Sequence, residues 1–239
     1  AAGMTSCAFL ALLRAFQLCA AAGEAGFARR PLVALGLTSM AAAAAFVIRQ
    51  RDFKRMLAYS SVEHIGLLAL GLGIGGPATF GAFFHLVNNA MAKGLLFLAA
   101  GNIHRAYGSK RTDDVSGALR RLPLSGWLFV FGLLAATGSP PFGPFQSLFT
   151  ILNGAFAAGR PGVAALIVTF LFVVFAGMGA TVLSVAQGEP SPAAQATEYR
   201  DGFLTGAPLL LFFALLLGLG LHLPAGAQGL LREAAAFVD

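Results

Sequence analysis

The 239-residue chain is 57% hydrophobic and only 11% charged, with a mean hydropathy of +0.78; ordinary soluble domains are about 25% charged. That composition excludes a water-soluble fold and points to a polytopic membrane protein embedded in a lipid bilayer. The net charge of +6 is no nucleic-acid footprint, because its clusters fall in loops: Arg49, Arg51, Lys54 and Arg55, then Arg105, Lys110, Arg111, Arg120 and Arg121.

Apolar stretches long enough to cross about 30 Å of hydrocarbon recur along the chain. The first is 1–22, which opens without an initiator Met and reads as a chain starting part-way through a helix. A secretory signal needs a basic start and an unbroken apolar core, and here Arg14 interrupts a neutral start. Cys7 and Cys19 are twelve residues apart on this one helix, about 18 Å, too far to pair. No CxxC or Cys/His cluster occurs, so no metal, iron–sulfur centre or other cofactor is expected.

A polar turn with Glu24, Arg29 and Arg30 leads to Pro31, which is expected to open a span over 31–48. The loop RQRDFKR precedes a span at 56–75, and Gly75-Gly76-Pro77 makes a tight break before 78–104. A polar loop containing a candidate amphipathic piece, DDVSGALRRLP, runs to Pro123. Residues 124–157 are too long for one helical crossing, and Gly138-Ser139-Pro140-Pro141 interrupts them. Two segments are predicted there, 124–138 and 144–158, meeting at a non-helical elbow. Spans 162–187 and 203–223 follow, separated by the loop GEPSPAAQATEYRDG, with a weakly amphipathic tail at 225–239. No β-pattern appears, so the expected fold is an all-α membrane helix bundle with about seven crossings. If 49–55 is cytoplasmic and the elbow belongs to one crossing, 105–122 and 187–202 share its side; if the elbow makes two crossings, everything after it flips.

Polar residues inside the spans carry the chemistry. His85, Asn89 and Lys93 follow one another at i, i+4, i+8 and drift only about 80° around the helix, so they share a stripe. Lys93 falls about 3 Å from the expected midplane. An ammonium there costs at least about 2.5–3.5 kcal/mol, and a functional site is the default reading. In AYSSVEHIG, Tyr59 pairs with Glu63 and Ser60 with His64 at i, i+4. The two-residue connection makes these helices antiparallel neighbours, which would bring Glu63, His64, His85 and Lys93 together. Such a set suits a proton relay, whose members must respond to burial and to neighbouring charge.

Plainer readings stand beside this one. Glu63 could lie at the interface and pair with Arg55, and His64 could be a structural hydrogen-bonder. Asn88 and Asn89 could be interhelical glue, Arg14 could snorkel, and His104 sits at a helix end. The elbow could serve packing alone, although broken membrane helices usually line a cavity or ion path.

Three stretches, RDFKRMLAYSSVEHIGLLALGLG, FFHLVNNAMAKGLLFLAAGNI and GSPPFGPFQSLFTIL, resemble the proton-translocating antiporter-like subunits of complex I (NADH:quinone oxidoreductase) and its relatives. The form AYSSVEHIG is most similar to the F-type subunits of hydrogenase-4 and formate hydrogenlyase-type complexes. The resemblance implies an inverted-repeat fold of about fourteen spans, of which this chain looks like the C-terminal half. Residues 1–48 would be the end of the first repeat, 49–187 the second repeat with its broken helix near 138–145, and 188–239 a loop, a final helix and a tail.

By the same resemblance, His85 and Lys93 match the central relay, and Glu63 and His64 the polar pair before it. Asn89 stands where relatives often carry a second histidine, and Leu148 where they place a Lys or Glu. Ser6 stands where the complex I branch often has Lys. Ser139, Gln146 or Ser147 with water would then serve the exit side. The implied protein is a proton-translocating subunit in the inner (plasma) membrane of a prokaryote. It would bind no redox cofactor itself and would join other membrane subunits and the peripheral redox arm of a hydrogenase or complex I-like oxidoreductase. Two alternatives remain: a structural subunit with an impaired proton path, and a subunit of a multisubunit cation/proton antiporter.

Overall fold

A computed structural model describes residues 2–191 and 197–238. Ten helices occur among the described residues: α1 (Ala2–Ala21), α2 (Ala25–Val47), α3 (Phe53–Ile74), α4 (Pro77–Tyr107), α5 (Ala118–Arg121), α6 (Pro123–Ala136), α7 (Gly143–Ala157), α8 (Pro161–Ala186), α9 (Phe203–Leu221) and α10 (Ala225–Ala236). Six of them, α1, α2, α3, α4, α8 and α9, are long and apolar enough to cross a membrane. The shorter α6 and α7 form the two halves of a discontinuous helix.

Local chemistry sets the ends. Asp52 caps α3 by accepting hydrogen bonds from the N–H groups of Lys54 (2.9 Å) and Arg55 (3.0 Å), so this helix starts at Phe53, three residues before the expected span. Gly75 (φ 85°) and Gly76 (φ 56°) make the reversal into α4, which Pro77 opens where a missing N–H costs nothing. α4 then runs 31 residues and ends on Gly108 in the left-handed conformation, three residues beyond the expected limit.

One expectation needs correction. Pro31 does not open α2; it lies inside a helix that already begins at Ala25. Its missing donor releases only the Phe27 carbonyl, close to the helix start, so the polar turn stays helical through it. The candidate amphipathic piece DDVSGALRRLP holds a short helix, Ala118–Arg121, with Val115, Ala118 and Leu122 buried and Arg120 exposed. The segment is also tied to a neighbouring loop: Gly117 N–H donates to Gln187 O (2.7 Å) and the Ser116 hydroxyl to Glu189 O (2.8 Å). In the loop 188–202, residues 192–196 lie outside the described residues.

Those ties also count the crossings. Thr112 N–H donates to Arg51 O (2.8 Å) and Phe53 N–H to Lys110 O (3.1 Å). The loops before α3, after α4 and after α8 therefore sit at one end of the bundle. α6 and α7 together make one crossing, and the basic clusters of both loops gather at that same end.

α4 is the axis of the bundle and packs against α1, α3, α6, α7, α9 and α10. The α2–α3 crossing is close because both surfaces are glycine: a Cβ at Gly66 would lie 2.8 Å from the Gly36 carbonyl. Such small-residue contacts replace the hydrophobic drive that lipid does not supply.

Candidate functional site

Two neighbouring helices bring the polar stripe together. On α3, Ser60, Glu63 and His64 are buried; on α4, so are His85, Asn88, Asn89 and Lys93. Glu63 is 2% exposed and Lys93 1%, so Glu63 is packed inside the bundle and not in the surface pair with Arg55 that is its plainer alternative.

The Lys93 ammonium donates to the Leu57 carbonyl (3.3 Å) and to the Ser60 hydroxyl. Ser60 in turn donates to the same carbonyl at 3.0 Å. One carbonyl, shared with the Ser60 and Ser61 hydroxyls, and one hydroxyl of α3 thus replace water around a buried cation. A charged donor makes stronger hydrogen bonds than a neutral one, which is how the apolar segment tolerates it.

The histidines form a second line. His64 Nδ1 lies 3.0 Å from His85 Nε2, and His85 Nδ1 lies 2.9 Å from the Ser147 Oγ on α7. Ser147 Oγ also lies 2.9 Å from the Pro144 carbonyl; in the arrangement where its proton goes to that carbonyl, its oxygen accepts from His85 Nδ1–H. A neutral imidazole has one donor and one acceptor. His85 Nε2 therefore accepts, His64 Nδ1–H donates, and His64 Nε2 is left bare, buried and without a partner among the described residues. The chain His64–His85–Ser147–Pro144 is thus polarised in one direction. It ends at the elbow.

That elbow needs its glycine. Gly138 has φ 75°, and Thr137 N–H, Gly138 N–H and Ser139 N–H donate to carbonyls of Leu133, Ala135 and Leu134 to finish α6. The Pro140-Pro141 peptide is cis. Asn88 on α4, fully buried, presses against Gly143 at the start of α7; its amide oxygen and nitrogen have no partner among the described residues. Asn89 Oδ1 is likewise unpartnered among them. These orphaned acceptors and donors lie in the right region to hold water between the two lines.

The expected exit residues part company. Ser147 reaches His85 directly. Gln146, half-buried, donates instead to the Gly220 carbonyl of α9. Ser139 and Leu148 line a groove of about 400 Å³ between the elbow and α8, with Phe172 and Phe175, away from the histidine line. Ser60 was missed from the sequence as a ligand of Lys93. Its i, i+4 relation to His64 was visible, but a serine that bonds its own helix backbone gives no sign of a partner on the next helix.

A separate polar cluster closes the basic end. Asp201 accepts from Ser125 Oγ (2.5 Å) and Ser125 N–H (3.1 Å), Asn102 donates to Ser125 Oγ (3.0 Å), and Tyr199 donates to Asn102 Oδ1 (3.0 Å). It ties the chain before α9 onto α4 and α6.

A family model described as "NADH:quinone oxidoreductase/Mrp antiporter, TM" matches residues 1–178. The chain is 34% identical over 219 residues to the hydrogenase-4 component F homolog of Methylacidiphilum infernorum, covering 91% of this chain and 44% of that protein. It is 28% identical over 171 residues to a Na(+)/H(+) antiporter subunit of Bacillus subtilis, covering 70% and 34%. Respiratory complex I from Thermus thermophilus contains a chain of the same fold, with a TM-score of 0.76 and 25% identity over 91% of this chain and 46% of that one. The chain spans less than half the length of the relatives it matches.

Proposed function

The chain belongs to the NADH:quinone oxidoreductase/Mrp antiporter transmembrane family and is a multi-pass membrane protein; from that premise we propose that it carries protons through the membrane as an antiporter-like subunit of a redox-driven complex. The observation that carries the reading is the buried hydrogen-bonded chain from His64 through His85 to Ser147, beside the buried Glu63 and Lys93. A proton reaching the bare His64 Nε2 makes that ring cationic. The ring relaxes by passing its Nδ1 proton to His85 Nε2, and His85 releases its own Nδ1 proton to water entering at the elbow, while Ser147 keeps its hydroxyl proton. Each transfer leaves the opposite tautomer behind, so ring rotation or water must reset the line before the next proton.

Lys93 and Glu63 act as the gate. While Lys93 is charged, its field opposes a cationic imidazole nearby; once its proton moves away, the histidine line can load. Asn89 holds water in this line and exchanges no proton itself. Electron transfer is assigned to partner subunits, with a hydrogenase or complex I-like peripheral arm driving the gate through conformation or charge. The setting is the plasma membrane of a prokaryote, with the basic end cytoplasmic by the positive-inside rule. Residues 1–48 then close one repeat, 49–187 form the second, and 188–239 add the final helix.

The likeness to a Na(+)/H(+) antiporter subunit favours one second reading, exchange of a cation for protons without a redox partner. The full-length protein, reconstituted with its complex in vesicles carrying a pH-sensitive dye, tests both. Redox turnover should acidify one side in the wild type and move fewer protons per electron in His85→Leu. Unchanged acidification in that variant removes the histidine line, and acidification driven by a sodium gradient alone favours the antiporter.

A further inference from the structure

α8 and the turn between α2 and α3 enclose an open groove of about 680 Å³ whose ends differ in chemistry. At the basic end lie Arg49, Gln50, Arg51 and Thr112; along α8 the wall is Phe172, Val173, Ala176, Gly177 and Ala180. Asp113 also borders the groove, but its carboxylate is engaged by Arg51 (3.7 Å) and Arg111 (3.0 Å). Arg49 enters no ion pair among the described residues. It also holds a left-handed backbone, φ 57°, which few non-glycine residues adopt.

The dimensions match one leaflet. From Ser184 to Phe172, both on the groove wall, α8 descends about 18 Å, against about 15 Å for half the hydrocarbon core. Ala176, Gly177 and Ala180 leave the α8 wall without bulky side chains, so an acyl chain can lie close against the helix.

We propose that this groove seats one anionic phospholipid, its phosphate between Arg49 and Arg51 and an acyl chain along Phe172–Ala180. The apolar wall takes an acyl chain, and Arg49, together with Arg51 shared between Asp113 and the headgroup, favours a negative headgroup over a zwitterionic one. The site does not depend on the proton line.

Native mass spectrometry of the full-length protein with its membrane partners tests this, using phosphatidylglycerol and phosphatidylcholine of the same acyl length. The wild type should retain phosphatidylglycerol preferentially. The preference should fall about fivefold for each arginine removed in Arg49→Gln/Arg51→Gln and survive in Arg49→Lys/Arg51→Lys. Ala180→Phe, which fills the groove without touching charge, should weaken retention of both lipids. Equal retention of the two lipids by the wild type, no lipid retained at all, or displacement of the lipid by inorganic phosphate would each overturn the proposal. Because the wild-type comparison needs no variant, misfolding of a variant leaves the question decided.

Discussion

His64 Nδ1 and His85 Nε2 face each other at 3.0 Å across the α3–α4 interface, and His85 Nδ1 lies 2.9 Å from Ser147 Oγ. A Ser147 proton given to the Pro144 carbonyl places both neutral rings in the Nδ1–H form. Solid-state NMR on histidine-labelled protein separates the two ring nitrogens and should find this tautomer at both residues. An Nε2–H tautomer at His85 would break the derived polarity.

Ser147→Ala removes the acceptor of His85 Nδ1–H. A buried donor left unpaired costs about 1–3 kcal/mol, so the variant should be less stable and should translocate protons more slowly. Gln146→Ala and Ser139→Ala face α9 and the α8 groove instead and should pump at close to the wild-type rate. Transport assays on the three variants side by side check the distinction; equal losses in all three would contradict it.

Ser60→Ala leaves Lys93 with the Leu57 carbonyl alone. Hydrogen bonds to a charged group contribute about 1.5–3 kcal/mol, and thermal unfolding in detergent should show a loss in that range. Lys93→Met combined with Ser60→Ala should recover part of it, since no buried charge then needs the hydroxyl. A double variant no more stable than Ser60→Ala alone would show that the contact matters little.

Gly138→Ala meets two obstacles. Its φ of 75° disfavours any L side chain by about 1–2 kcal/mol, and the new methyl would overlap the Leu148 side chain. The variant should unfold earlier than wild type. An unchanged melting temperature would mean that the elbow does not need this conformation.

Asp52 supplies a pH-dependent contribution at the basic end. Partial burial works against its carboxylate, but the Arg55 N–H, the Lys110 ammonium at 3.0 Å and the Lys54 N–H more than offset it and hold the group below its usual 3.8. A depressed carboxylate stabilises the fold above its unfolded value and loses that contribution as pH falls through the folded one. Asp52→Ala should therefore cost about 1 kcal/mol near neutrality, as lost caps do, with the gap to wild type closing below about pH 3.8. A gap that persists in acid would assign the effect to something other than the charge.

Much of the architecture was legible because bilayer thickness constrains length and composition more strongly than any local propensity does. The apolar spans and the Gly-Ser-Pro-Pro elbow followed from that, and the two-residue turn Gly75-Gly76 made α3 and α4 neighbours. The Lys93–His85 stripe followed from helical period alone. What escaped depended on packing between distant segments: His85 and Ser147 are 62 residues apart and meet only because α7 lies on α4. Ser60 and Ser139 show the same limit in opposite senses, one drawn into the site and the other turned to the α8 groove. Pro31 misled because its cost depends on where along the helix the lost bond falls.

The central claim is that protons cross through the buried line governed by Lys93. Replacing Lys93 with Met in the full-length, reconstituted complex and measuring proton translocation per redox turnover tests it most directly. Electron transfer should continue while translocation through this subunit disappears, lowering the ratio of protons to electrons. A ratio equal to the wild type would contradict the account.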